Sequence, residues 1–151
     1  MVATRAEMER SNEMNRPLLV ILLLTLSLVF VTSCALSHKE VDSWLIAKSG
    51  GKTSEVDLTG YWQDSKGTGF FTWGEGYLYQ DQNRIKGNIG DYTITGIVAG
   101  KTAYLVLMYG NRVYYTARLE LLKELLSGNY FSARDKEQKS GYPMALVRKR
   151  S

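Results

Sequence analysis

The chain contains one cysteine and one histidine among its 151 residues, and each shortage closes off a class of chemistry. A lone cysteine, Cys34, forbids an intrachain disulfide, so an exported domain must hold together without covalent staples. His38 stands apart in the same N-terminal stretch, which removes a Cys and His nucleophile pair and any zinc site built from thiolate and imidazole. The carboxylates near turns, Asp64, Glu75, Asp81 and Asp91, show no spacing that singles out a pair for acid and base work, and they read as solvated turn residues. The glycines between Gly67 and Gly76 lack the Lys-Ser/Thr and the following helix of a phosphate loop, so they read as hairpin glycines. No cofactor, metal site or catalytic residue is expected, and the chain reads as non-enzymatic.

Blocks of one charge are scarce as well. There are 19 Lys and Arg against 15 Asp and Glu, a net charge of +4, and the signs alternate along most of the chain, which favours solubility more than it indicates a partner. A nucleic-acid surface would interleave a basic stripe with aromatics, and no such stripe is present. The densest basic run, Arg148-Lys149-Arg150, reads as a solvated tail or as a contact for anionic lipid.

The longest apolar run, Leu18 to Val31, is about 14 residues, short of the roughly 20 that span a bilayer as a helix but suited to the core of an export signal. The flank before it is nearly neutral, since Arg5, Arg10 and Arg16 are offset by Glu7, Glu9 and Glu13. An export signal usually begins with a short cationic segment, so translation is expected to start at Met14, with Met1 as the alternative. The run closes on Val31-Thr32-Ser33-Cys34, which resembles the lipobox of bacterial lipoprotein signal peptides. That resemblance implies cleavage before Cys34, a diacylglycerol on its sulfur and acylation of the new amine. Several acyl chains anchor stably where one does not. Ala35 in place of Asp after the cysteine implies the outer membrane, facing the periplasm.

Three segments follow: a signal peptide over 1–33, a lipid-anchored tether or packing arm over 34–55 with one short helix from Ser37 to Lys48, and a folded domain over 56–151. In that domain short runs of Tyr, Val, Ile and Thr alternate with Gly and Asn, the signature of strands and turns. Strands are expected at Asp57 to Asp64, Gly69 to Trp73, Tyr77 to Gln82, Arg84 to Asn88, Tyr92 to Val98, Ala103 to Tyr109, Arg112 to Leu121, Gly128 to Arg134 and Pro143 to Lys149. Their spacing leaves no room for crossover helices, so the fold class is all-β, a small antiparallel meander barrel, with another small barrel or a sandwich as the alternative. Alternation puts Tyr92, Ile94, Gly96 and Val98 on one face, and likewise Val113, Tyr115, Ala117, Leu119 and Leu121. Ala103 to Tyr109 is apolar on both faces, as in a strand covered on both sides. The stretch Leu119 to Gly128 has helical spacing but also suits a strand end and a turn.

Gly60-Tyr61-Trp62 on the first expected strand resembles the Gly-x-Trp signature of the calycins, the lipocalins and avidins among them. The resemblance implies that Trp62 closes the barrel floor beneath an arginine from a late strand, Arg148 first and Arg118 second, with Gly60 allowing close approach. Ten Tyr and three Trp suit half-buried strands or a binding rim, for which Tyr77, Tyr79, Tyr109, Tyr114 and Tyr130 are the candidates. The function expected is a lipid-anchored envelope protein whose domain binds an apolar small molecule or a partner at its rim. The alternative is a structural or inhibitory envelope protein docking on another macromolecule.

Overall fold

A computed structural model of the chain describes residues 35–65 and 72–149. The apolar run, the lipobox and Cys34 lie outside them, as does most of the expected strand from Gly69 to Trp73, of which Thr72 and Trp73 are non-strand. Eight strands form a closed antiparallel barrel: β1 (Gly60–Asp64), β2 (Glu75–Asp81), β3 (Arg84–Ile89), β4 (Tyr92–Ala99), β5 (Thr102–Tyr109), β6 (Arg112–Leu122), β7 (Leu125–Ser132) and β8 (Tyr142–Arg148). Each strand pairs with its neighbour in sequence, and β1 pairs with β8 to close the sheet. The fold is the all-β meander barrel that the strand spacing implies.

Two-residue reversals set the hairpins. Gly100 and Gly110 turn β4 into β5 and β5 into β6 with φ of 62° and 58°, a backbone region that glycine enters without steric cost. The ambiguous Leu119 to Gly128 stretch is a hairpin too, with Leu122 paired to Leu125 and Lys123 at φ 60° between them. Elsewhere glycine permits crowding. A methyl group built on Gly76 would overlap the Asn88 carbonyl, and one on Gly128 would overlap the Arg118 carbonyl, so the neighbouring backbone approaches too closely at both points for any side chain.

The interior holds a contiguous cluster of buried side chains, from Leu58 and Trp62 at one end, through Ile85, Ile94, Leu105, Leu107 and Leu119, to Trp73 at the other. A second cluster lies outside the sheet, where β4, β5 and β6 meet helix α1 (Val41–Ser49). This explains the doubly apolar strand: Ala103, Leu105 and Leu107 face the interior, while Val106 and Met108 lie under α1. The expected face of β6 needs one correction. Register shifts at Leu107/Met108, pairing Leu107 with Tyr115 but Met108 with Val113, and this bulge reverses the parity so that Val113 joins the outer cluster while Tyr115 stays with the inner one.

The segment before the barrel is a packing arm. Leu36 is 3% exposed, and its N–H donates to the Ala133 carbonyl at 2.8 Å. A short 3-10 turn over His38–Glu40 leads into α1, which buries Val41 and Leu45 four residues apart on one face. The Glu40 carboxylate accepts from the Ser37 N–H at 3.0 Å and the Ser37 hydroxyl at 2.7 Å, and pairs with Lys136 at 3.1 Å. These contacts, the Ser37 hydrogen bonds foremost, hold its pKa down to about 2 from 4.5. A carboxylate depressed in the folded state stabilises above its unfolded pKa, and that stability is lost as pH falls through the folded value. Docking of the arm should therefore weaken between about pH 4.5 and 2. Trp44, whose indole N–H donates to the Lys136 carbonyl at 3.0 Å, should report the change in fluorescence during acid titration. Glu40→Gln should remove that step; its persistence in the variant would assign it to another group.

Candidate functional site

The meander gives the barrel two ends of different chemistry. At the first lie the start of β1, the β2–β3, β4–β5 and β6–β7 turns and the end of β8. Here Trp62 is fully buried, and its indole N–H donates to the Leu58 carbonyl at 2.9 Å. Arg148, register partner of Trp62 across the β1–β8 seam, lies with its guanidinium carbon 4.7 Å from the indole ring centre, a distance at which cation and ring attract. The same guanidinium donates to the Thr59 carbonyl at 2.9 Å and the Asp57 carbonyl at 2.7 Å. Its Nε lies 3.2 Å from the Glu124 carboxylate, an ion pair without hydrogen-bond alignment. Gly60, at φ 148°, clears the space that the Arg148 guanidinium nears. Gly60, Trp62 and Arg148 thus meet at one point; Arg118 lies on the outer wall of β6, paired with Tyr104 and Asn129.

Gln80 completes this end. Its side-chain oxygen accepts from the Leu58 N–H at 2.9 Å, and its amide nitrogen lies 3.0 Å from the Ser54 hydroxyl and 2.9 Å from the Val56 carbonyl. Together Arg148, Trp62 and Gln80 strap residues 54–59 across the barrel mouth. Gln80 was legible in one respect: period-two alternation puts it on the inward face with Leu78, where a polar side chain needs partners.

The opposite end is aromatic. Tyr109 meets Tyr114 at 6.3 Å between ring centres, Tyr114 meets Tyr92 at 6.5 Å and Tyr115 at 6.4 Å, Tyr115 meets Tyr130 at 5.4 Å, and Tyr130 meets Tyr142 at 5.6 Å. Beneath them Trp73, 2% exposed, contacts Tyr92, Tyr115 and Tyr130 at 5.8, 5.7 and 4.8 Å. The ladder is buried at its base and wet at its outer steps: Tyr130 is 5% exposed, whereas Tyr109 is 59% and Tyr142 50% exposed. Burial pushes the Tyr92 and Tyr130 hydroxyls above their ordinary pKa. The Arg112 guanidinium stacks on Tyr114 at 5.2 Å.

Of the five rim candidates, the structure brings together Tyr109, Tyr114 and Tyr130. Tyr77 and Tyr79 lie on the outer wall of β2, Tyr77 against Tyr61 at 4.9 Å and Tyr79 in a groove of about 650 Å³ beside α1, with Asp42, Arg84 and Lys86. Tyr92, Tyr115, Tyr142 and Trp73 belong to the aromatic end but were not singled out. Each is the first residue of a strand, a bulge neighbour or a loop residue, positions that strand periodicity does not rank.

Of the turn carboxylates, Asp64 and Glu75 lie on opposite faces of the β1–β2 pair. Asp64 follows Trp62 by two and shares its inward parity, and burial raises its pKa. Glu75 pairs across to Gln63 on the opposite parity and is neutralised by Lys149 at 2.8 Å. Among the described residues no group of three or more His, Cys, Asp or Glu could hold a metal ion, and no helix among them is long and apolar enough to cross a membrane. No protein-family model, curated protein or solved structure matches the chain, so the site is read from its own geometry.

Proposed function

We propose that the protein is a lipid-anchored lipoprotein of the bacterial envelope, held through acylated Cys34 in the outer membrane facing the periplasm, with a non-catalytic barrel that binds through its aromatic end. The observation that carries the binding reading is the ladder from Tyr109 to Tyr142. Wet tyrosines supported from below by a buried tryptophan offer rigid apolar area with hydroxyl handles at little entropic cost. The interior offers less, because a contiguous cluster of buried side chains occupies it. We also infer a calycin-like barrel, on the meeting of Gly60, Trp62 and Arg148 at the strapped end.

Feeding cells labelled palmitate tests the anchor. The wild-type chain should carry label and sediment with membranes, and Cys34→Ser should lose both; label retained in the variant would overturn the anchor. For the binding surface, a photo-crosslinking residue at Tyr109 should give adducts in intact envelopes where one at Lys101, in the β4–β5 turn at the strapped end, gives none. Equal yields at the two positions would remove the aromatic end from its role.

A further inference from the structure

We propose that the partner of the aromatic end is the lipid surface itself, with Tyr109, Arg112 and Tyr114 seated among its headgroups. The inference rests on acylation of Cys34. Its structural basis is the absence of slack between the anchor and the barrel. The Leu36 N–H is bonded to the Ala133 carbonyl, and the Ala133 N–H donates in turn to the Tyr114 carbonyl at 3.0 Å. Hydrogen-bonded backbones lie about 5 Å apart, so Leu36 stands roughly 10 Å from Tyr114. Cys34 precedes Leu36 by two residues, a reach of at most about 7 Å. A lipid on Cys34 therefore enters the bilayer beside β6 and the end of β7, at the aromatic end. The strapped end is a strand length away, roughly 20 Å along a tilted barrel.

The chemistry of the near end fits an interface. Tyrosine places its ring among acyl carbons and its hydroxyl among headgroups, and Tyr109 and Tyr114 are exposed. Arg112, Arg134 and Lys39 are exposed around the point where the chain leaves the domain, and among the described residues none of the three is in a salt bridge, leaving their charge available to anionic headgroups.

The full-length acylated protein, reconstituted in vesicles of phosphatidylethanolamine and phosphatidylglycerol, tests the orientation. Cysteine introduced at Asn111 or Lys101, both exposed turn positions, can carry a fluorophore, since acylation leaves Cys34 unreactive. With spin-labelled headgroups as quencher, the Asn111→Cys label should be quenched several times more strongly than the Lys101→Cys label. Equal or reversed quenching in protein that floats with the vesicles overturns the orientation and leaves the anchor standing. Protein that neither floats nor carries palmitate overturns the anchor, and the orientation with it. If the Asn111→Cys label is shielded in native envelopes but not quenched in vesicles, the occupant is a protein and the lipid assignment fails.

Discussion

Replacing Trp62 with alanine should lower the free energy of unfolding by about 3–5 kcal/mol, the range for truncating a fully buried tryptophan. The side chain has no exposure to lose, and its removal leaves two groups without their partner and opens a cavity. The Leu58 carbonyl loses the indole donor, Arg148 loses the ring beneath it, and the inner cluster gains a cavity at its floor. A domain of this size is stable by roughly 5–15 kcal/mol, so the variant should be only marginally folded. Trp62→Phe keeps most of the volume and should recover the larger part of the loss. Urea unfolding of both variants at neutral pH measures this, and a Trp62→Ala cost below about 1 kcal/mol, the scale of an ordinary substitution, would show that the strapped end is not integral to the core.

Gly76→Ala should cost about 3 kcal/mol, the upper part of the overpacking range. The methyl group would meet the Asn88 carbonyl and the Ile89 Cα, which are backbone atoms within the β3–β4 hairpin and cannot swing aside as a side chain could. Gly110→Ala is the matched control. Nothing lies within 4 Å of its added methyl, but its φ of 58° disfavours any side chain, so its cost should stay near 1–2 kcal/mol. The two costs separate crowding from backbone strain. Equal values in urea unfolding would mean that β2 and β3 move apart to admit the methyl.

Strand existence and face were legible because half-buried antiparallel strands impose a period of two, which β4 shows from Tyr92 to Gly96, whereas β5, apolar on both faces, is legible only as a strand covered on both sides. The period failed at Tyr114, where one extra residue in β6 moved Val113 to the outer cluster; a bulge adds no residue type that marks it. The Leu119 to Gly128 stretch stayed ambiguous because Leu repeats serve both periods, and the reversal rests on Lys123 in a conformation that lysine seldom takes. The meeting of Gly60, Trp62 and Arg148 was anticipated through the calycin resemblance, not through periodicity, which relates positions along a strand but says nothing about which distant strand returns. Tyr77 and Tyr79 were grouped with the rim for the same reason: alternation distinguishes outside from inside but not wall from end.

Every pairing in the barrel except one joins strands adjacent in sequence. Contacts of low sequence separation cost little chain entropy and form quickly, so successive hairpins can assemble one after another along the chain. The β1–β8 seam must wait for both ends of the domain, and it is the seam that carries the stacking of Arg148 on Trp62. Interactions that form after the rate-limiting step govern how slowly a protein opens rather than how fast it closes. With one cysteine and so no disulfide within the chain to hold the domain shut, that clasp acts as a kinetic latch.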